Sequence, residues 1–231
     1  MFFTTTKIRK SGVLSGMTDC HSHLLWGVDD GFQTKEDTLA ALQLLEEAGV
    51  KEVWCTPHVM EEVPNTTQRL KERFAQLQEA YQGHMVLHLA SEYMLDGVFQ
   101  GRLEAKDLLR HEGEYVLVET SYYSPPMNMK EILESILHQG MRPLLAHPER
   151  YRYMDEDNYR ELKDMGVDLQ LNLPSLCGLY GKDVERKALW ILKEGMYNMI
   201  GMDLHSLKSL RFLLDCKINK KVAKLVQEIK G

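Results

Sequence analysis

The chain has few cysteines, and none is arranged for chemistry. Cys20, Cys55, Cys177 and Cys216 are far apart and form no Cys-x-x-Cys pair. That excludes the common cysteine zinc and dithiol motifs and fits a reduced, cytoplasmic compartment. None of them begins a Cys-x5-Arg run, since the sixth residue after each is Trp26, Glu61, Asp183 or Val222. Long apolar runs are also missing, and nothing approaches the ~20 residues of a membrane-spanning helix. Residues 1–10 include Phe2, Phe3 and three basic residues, but no apolar stretch of the signal-peptide kind follows. Apart from Lys220-Lys221 there is no block of like charge, and the net charge is −6. A nucleic-acid footprint is therefore not expected. Internal repeats, low-complexity tracts and long linkers are absent as well.

What remains is an alternation of short apolar runs and amphipathic stretches. The 231 residues, 44% of them hydrophobic, suffice for one sizeable core. Residues 1–16 are expected to be an N-terminal extension ahead of the first core strand, and 17–231 a single domain. Strands are expected at 17–21, 52–56, 85–91, 115–120, 141–147, 167–172 and 198–203. Helices are expected from the Thr34 N-cap to Ala48, then over 65–81, 129–139, 155–165 and 183–194, and in the tail from 218. Gly49, Gly140, Gly166 and Gly195 supply stop signals. About seven strands, most followed by a helix, imply an α/β fold with a parallel sheet.

The polar residues decide between a barrel and an open sheet. Asp19-Cys20-His21-Ser22-His23 places two imidazoles two residues apart, on one face of an expected strand. Asp203-Leu204-His205 repeats that spacing with a carboxylate and an imidazole. His58, Glu92, Glu119 and His147 also fall at or just past strand C-terminal ends. A barrel carries its chemistry at that rim, whereas an open sheet gathers ligands at one switch point. His84, His88, His111 and His138 lack such a setting and read as surface or structural residues. The other five histidines, with Asp30, Glu92, Glu119 and Asp203, form a mixed imidazole and carboxylate set suited to Zn, Mn or Fe. Nine donors exceed what one tetrahedral ion takes, so two or three ions with a bridging carboxylate are expected. Asp29-Asp30-Gly31 is a turn that delivers Asp30, and Asp29 is left outside the site.

The ordered set Asp19 to His23, Val28-Asp29-Asp30-Gly31, Thr56-Pro57-His58, Ser91-Glu92, Val118-Glu119, Ala146-His147-Pro148-Glu149-Arg150 and Asp203 to His205 resembles the PHP (polymerase and histidinol phosphatase) superfamily. More narrowly it resembles the bacterial manganese-dependent protein tyrosine phosphatases of capsule and exopolysaccharide loci. The resemblance spans residues 17–205. It implies a distorted (β/α)7 barrel, TIM-like, holding up to about three ions at the C-terminal ends of the strands. His21, His23, Glu92 and Asp203 would hold one ion, Glu92, Glu119 and His147 a second, and Asp30, His58 and His205 a third. Manganese is the expected cofactor, with iron or zinc as alternatives.

The implied reaction is hydrolysis of a phosphomonoester, most directly phosphotyrosine in a protein, by a metal-bound hydroxide. No protein nucleophile is needed, which agrees with the missing Cys-x5-Arg run. Arg150 matches the arginine that holds substrate phosphate, and the candidate proton donor is His205 or a metal-bound water. The family's second arginine falls at Leu210 here, so Arg211, one residue later, is its expected substitute. Tyr122, Tyr123, Tyr151 and Tyr153 lie near the expected mouth and read as rim packing, while Lys182 and Lys187 are left outside the site. The resemblance further implies a bacterial tyrosine kinase as partner and a role in regulating capsular or exopolysaccharide synthesis. A small-molecule phosphatase of the same superfamily, acting on a histidinol-phosphate-like compound or a nucleotide, is the alternative.

Overall fold

A computed structural model describes residues 4–229 of the chain. The elements are β1 (Thr5–Lys7), β2 (Thr18–Ser22), α1 (Lys35–Glu47), β3 (Glu52–Cys55), β4 (His58–Val59), α2 (Thr67–Ala80), β5 (Val86–Leu89), β6 (Glu92–Met94) and α3 (Gly97–Ala105). They continue with β7 (Tyr115–Glu119), α4 (Met129–His138), β8 (Arg142–Leu145), α5 (Glu156–Asp164), β9 (Asp168–Asn172), α6 (Lys182–Lys193), β10 (Tyr197–Gly201), α7 (Leu207–Asp215), β11 (Lys217–Asn219) and α8 (Lys220–Gln227). The expected strands and helices are present, with ends shifted by a few residues.

The local causes are visible in α1. Thr34 accepts a hydrogen bond from Asp37 N and caps the helix. Thr38, Ala41, Leu42 and Leu45 are buried, a spacing that turns one stripe of the helix inward. Gly49 leaves the helix at φ +98, a conformation that suits glycine. On β7 the strand period decides what faces where. Val116 and Val118 join the large core under the helices, while Leu117 joins a separate small cluster with Leu144 and Ala146. Glu119 shares the inner face with Leu117, one residue pair further along.

The strands form three sheets. Six pair in the order β10-β9-β8-β7-β6-β4 and three in the order β2-β3-β5, all in parallel. β1 pairs antiparallel with β11. Thr56-Pro57 interrupts one strand into β3 and β4, and Ala90-Ser91 interrupts another into β5 and β6. Each interrupted strand starts in the small sheet and ends in the large one. β2 meets the chain after β10 through a single bridge, Ser22 with Leu204, and through Met202 N and Asp203 N, both donating to His21 O. No sheet closes on itself among the described residues. A side chain replaces part of the missing ladder, because Asp19 Oδ1 accepts from Met202 N at 2.8 Å.

Three features were not expected from the sequence. α3 and α7 lie in stretches without an assigned element. The tail at 218, expected to be helical, first forms β11, and the helix begins at Lys220. Residues 4–16, expected to precede the core, instead supply β1 and bury Ile8, Val13 and Leu14 in the main core. The expectations for residues 1–3 and 230–231 lie outside the described residues.

Candidate metal centre

The parallel strands deliver their C-terminal ends to one rim. His21 is the penultimate residue of β2 and His23 follows the strand. His58 opens β4 and Glu92 opens β6, where they are register partners. Glu119 ends β7, His147 follows β8, and Asp203 and His205 follow β10. His147 and Asp203 leave their strands in the left-handed region, at φ 36 and φ 50. A non-glycine residue rarely sits there, and such positions concentrate at functional sites. All nine expected donors meet at this rim, although they are widely spaced in sequence.

Glu92 is at the middle and fully buried. Its Oε2 is 3.2 Å from His21 Nε2, 3.3 Å from His23 Nε2 and 3.1 Å from His58 Nδ1, and its Oε1 is 3.1 Å from His147 Nε2. Asp203 Oδ1 is 3.6 Å from His21 Nε2 and 3.3 Å from His23 Nε2. Glu119 Oε1 is 3.0 Å from His58 Nδ1. At the open end Asp30 Oδ1 is 3.5 Å from both His58 Nε2 and His205 Nε2. Two details differ from the implied partition. His58 faces Glu92 and Glu119 through Nδ1 and Asp30 through Nε2, and His23 belongs with both His21 and Glu92 and the Asp30, His58 and His205 group.

The donor set fits divalent ions on two counts. Ligands about 2.1 Å from a tetrahedral ion are about 3.4 Å apart, close to the separations above. Glu92 Oε2, Glu119 Oε1 and His58 Nδ1 are also buried and lie close to other donors without an aligned hydrogen bond, a costly arrangement unless a cation sits among them. Charge balance points the same way. Burial and the His23 charge pull His58 down, but Glu92 and Glu119 outweigh them and hold it up at about 10. Burial opposes ionisation of Glu92 and Asp203, yet the surrounding histidines, His21 foremost, hold both low. Asp30, hydrogen-bonded to His205, is held at about 2.

Groups behind the donors aim them. His23 Nδ1 donates to Asp29 Oδ2 at 2.8 Å, and His58 N donates to the same oxygen at 3.0 Å. His21 Nδ1 donates to Gln170 Oε1 at 3.0 Å. The two ring bonds leave Nε2 of His23 and of His21 free toward the cluster. Asp29, left outside the site on sequence, is thus a positioning residue with a fully buried carboxylate. Its buried role was hidden by the turn signal it shares with Asp30 and Gly31. Gln170 and Asn172 were also missed. They lie two apart on β9, where the period of two puts both on one face.

Arg150 sits at the mouth. Its Nη1 donates to Asp203 Oδ2 at 2.6 Å, and its guanidinium is 4.4 Å from the Tyr122 ring and 4.3 Å from the Tyr180 ring. The two aromatic faces hold the fork in place. Tyr151 is core, stacked on Tyr153 at 5.6 Å, with its hydroxyl accepting from Thr120 N. Arg211 does not join the site. It lies exposed on α7 with no hydrogen bond or ion pair to the cluster among the described residues, and Leu210 beside it is buried. The remaining histidines are elsewhere. His88 pairs with Glu52 at 2.9 Å, and buried His111 donates to Cys20 O at 2.7 Å.

Comparison with known proteins adds the following. A family described as capsular polysaccharide synthesis, CpsB/CapC, matches residues 17–228. The tyrosine-protein phosphatase CpsB of Streptococcus pneumoniae is 30% identical, over 84% of this chain and 84% of its own. The tyrosine-protein phosphatase YwqE of Bacillus subtilis is 25% identical, over 85% of this chain and 80% of its own. A crystal structure from work on YwqE and CpsB, described as metal-dependent tyrosine phosphatases, superposes with a TM-score of 0.80. It is 23% identical and covers 92% of this chain and 86% of that one, a likeness of fold.

Proposed function

This chain belongs to the CpsB/CapC family of capsular polysaccharide synthesis proteins, and from that membership and the geometry of the rim we propose that it is a metal-dependent protein-tyrosine phosphatase. One observation carries the reading. A buried carboxylate, Glu92, faces four imidazoles, with an arginine fixed at the mouth above it. That is a site for several cations beside a site for one tetrahedral anion. The seven strand positions, counting β3 with β4 and β5 with β6, are read as a distorted barrel.

His21, His23, Glu92 and Asp203 would hold one ion. Glu92 and Glu119, with His147, would hold a second, and Asp30, His58 and His205 a third. Manganese is the metal proposed first, with iron or zinc able to occupy the same donors. When bound, such ions supply Lewis acidity and lower the pKa of water toward about 7. The chain's own residues do the rest. Arg150 presents a planar fork that matches phosphate oxygens, and the Tyr122 and Tyr180 faces keep it from swinging away. Glu92 and Glu119 give the rim the negative charge that retains cations. The proton for the leaving phenolate is assigned to bound water, or to His205 when its Nε2 is not holding an ion, its Nδ1 being committed to Asp203 O. Cys20 and Cys55, on β2 and β3, are buried, and no thiol nucleophile is part of the proposal. The substrate is read as a phosphotyrosine protein, a bacterial tyrosine kinase in the first instance, in the cytoplasm. No helix of the described chain is long and apolar enough to cross a membrane.

The test removes metal with a chelator, restores Mn²⁺, and follows p-nitrophenyl phosphate and a phosphotyrosine peptide. Turnover should vanish and return, and the peptide should be preferred to small aliphatic phosphomonoesters. Activity that survives complete demetallation would overturn the proposal.

A further inference from the structure

Beside Arg150 the molecule has a groove of about 570 Å³, within the range of small-ligand clefts and larger than one phosphate requires. Its floor is the Arg150 guanidinium between Tyr122 and Tyr180. Its walls carry two more cations, Arg152 and Lys182, both exposed. Arg152 is held in place by its backbone N–H donating to Tyr122 O at 2.8 Å and by its guanidinium lying 4.7 Å from the Tyr123 ring. Lys182 opens α6 and also lines the groove. Neither makes an ion pair among the described residues. The other charged groups of the groove are already committed. Glu149 is buried and accepts from Asn172 N and Tyr197 Oη. Asp183 pairs with Arg186 at 2.7 Å, and Lys187 donates to Tyr151 O. The groove therefore presents unpaired positive charge and aromatic faces next to the metal rim, in a chain whose net charge is −6.

We propose that this groove binds the polypeptide flanking the phosphotyrosine and selects flanks rich in aspartate and glutamate, with Arg152 and Lys182 as the selecting residues. The inference rests on the phosphatase reading and specifies its substrate class. An acidic flank gains two charge pairs at exposed positions, each worth about 1.5-fold to threefold in affinity, while a lysine-rich flank is repelled. Tyr123, 69% exposed, offers a face on which an extended peptide can lie.

The test measures binding with peptides that carry a non-hydrolysable phosphonate in place of phosphotyrosine and differ only in having aspartate, alanine or lysine flanks. Fluorescence anisotropy on the Mn²⁺-loaded protein should rank them in that order, with about tenfold between the extremes. The gap should narrow at high salt. The double variant Arg152→Glu, Lys182→Glu should invert the order. Equal affinities in the unaltered protein, or an order that survives the charge reversal, would overturn the inference. Turnover of p-nitrophenyl phosphate separates the two readings. With turnover but no flank preference, only this inference falls. Without turnover, the phosphatase reading falls and takes it along.

Discussion

At the scale of single residues, the groups that matter most beyond the donors are those that aim them. Asp29 is the clearest. Its carboxylate takes hydrogen bonds from His23 Nδ1, His58 N and Gly31 N, so it orients one imidazole, one backbone and one turn together. Asp29→Ala should leave the protein folded and weaken metal binding by about 10- to 100-fold, read by competition with a chelating dye. An unchanged affinity would show that the turn, and not the carboxylate, sets the imidazole. Sequence singled out the candidate donors because each has the right chemistry and all but Asp30 fall at or just past a strand end. It made Asp29 illegible because a buried second carboxylate and a solvated turn residue look alike in one dimension.

Elements meet at close quarters near the rim. A Cβ on Gly201 would lie 2.5 Å from His21 Cβ and 2.6 Å from Gln170 Nε2, so β10 can pass β2 and β9 only with glycine there. Gly201→Ala should destabilise the protein by about 1–3 kcal/mol and loosen His21. A lowered thermal midpoint together with reduced metal content would be the result. The N-terminal segment makes the second element-scale prediction. β1 pairs with β11, and Ile8 beyond it is completely buried against the core. Ile8→Ala should cost about 2–4 kcal/mol in denaturant unfolding. A cost near zero would make residues 4–16 the loose extension that their sequence suggested. The strand at β1 was not visible locally because its partner, β11, is more than two hundred residues away.

For the whole molecule, the consequential property is a rim where imidazoles and carboxylates share charge. His58 is held at about 10, above the ordinary 6.5. In chelated protein its contribution to stability is therefore complete below about pH 6.5 and is lost as the pH rises toward 10. Asp30, held near 2, contributes above its ordinary 3.8 and loses that contribution as the pH falls through 2. Chelated protein should accordingly melt at falling temperatures from about pH 6.5 to about pH 9. Metal-loaded protein should gain over that range, because ions compete with fewer protons and binding releases those the histidines hold. Thermal melts with chelator and with Mn²⁺ across the range test both trends, and parallel slopes would refute the shared-charge account.

Composition, spacing and periodicity were enough for the α/β class, for most of the alternation of strands and helices, and for singling out nine candidate donors, since these depend on local patterns and on side-chain chemistry. Only the tertiary structure decided that β3 and β5 break and change sheets, that β2 meets β10 through Asp19 instead of a regular ladder, that Arg211 lies exposed on α7 while Arg150 is held between Tyr122 and Tyr180, and that Lys182 shares a groove with Arg152. Each of these depends on which distant segments pack together. That is set by the summed burial of the core, and no window of neighbouring residues contains it.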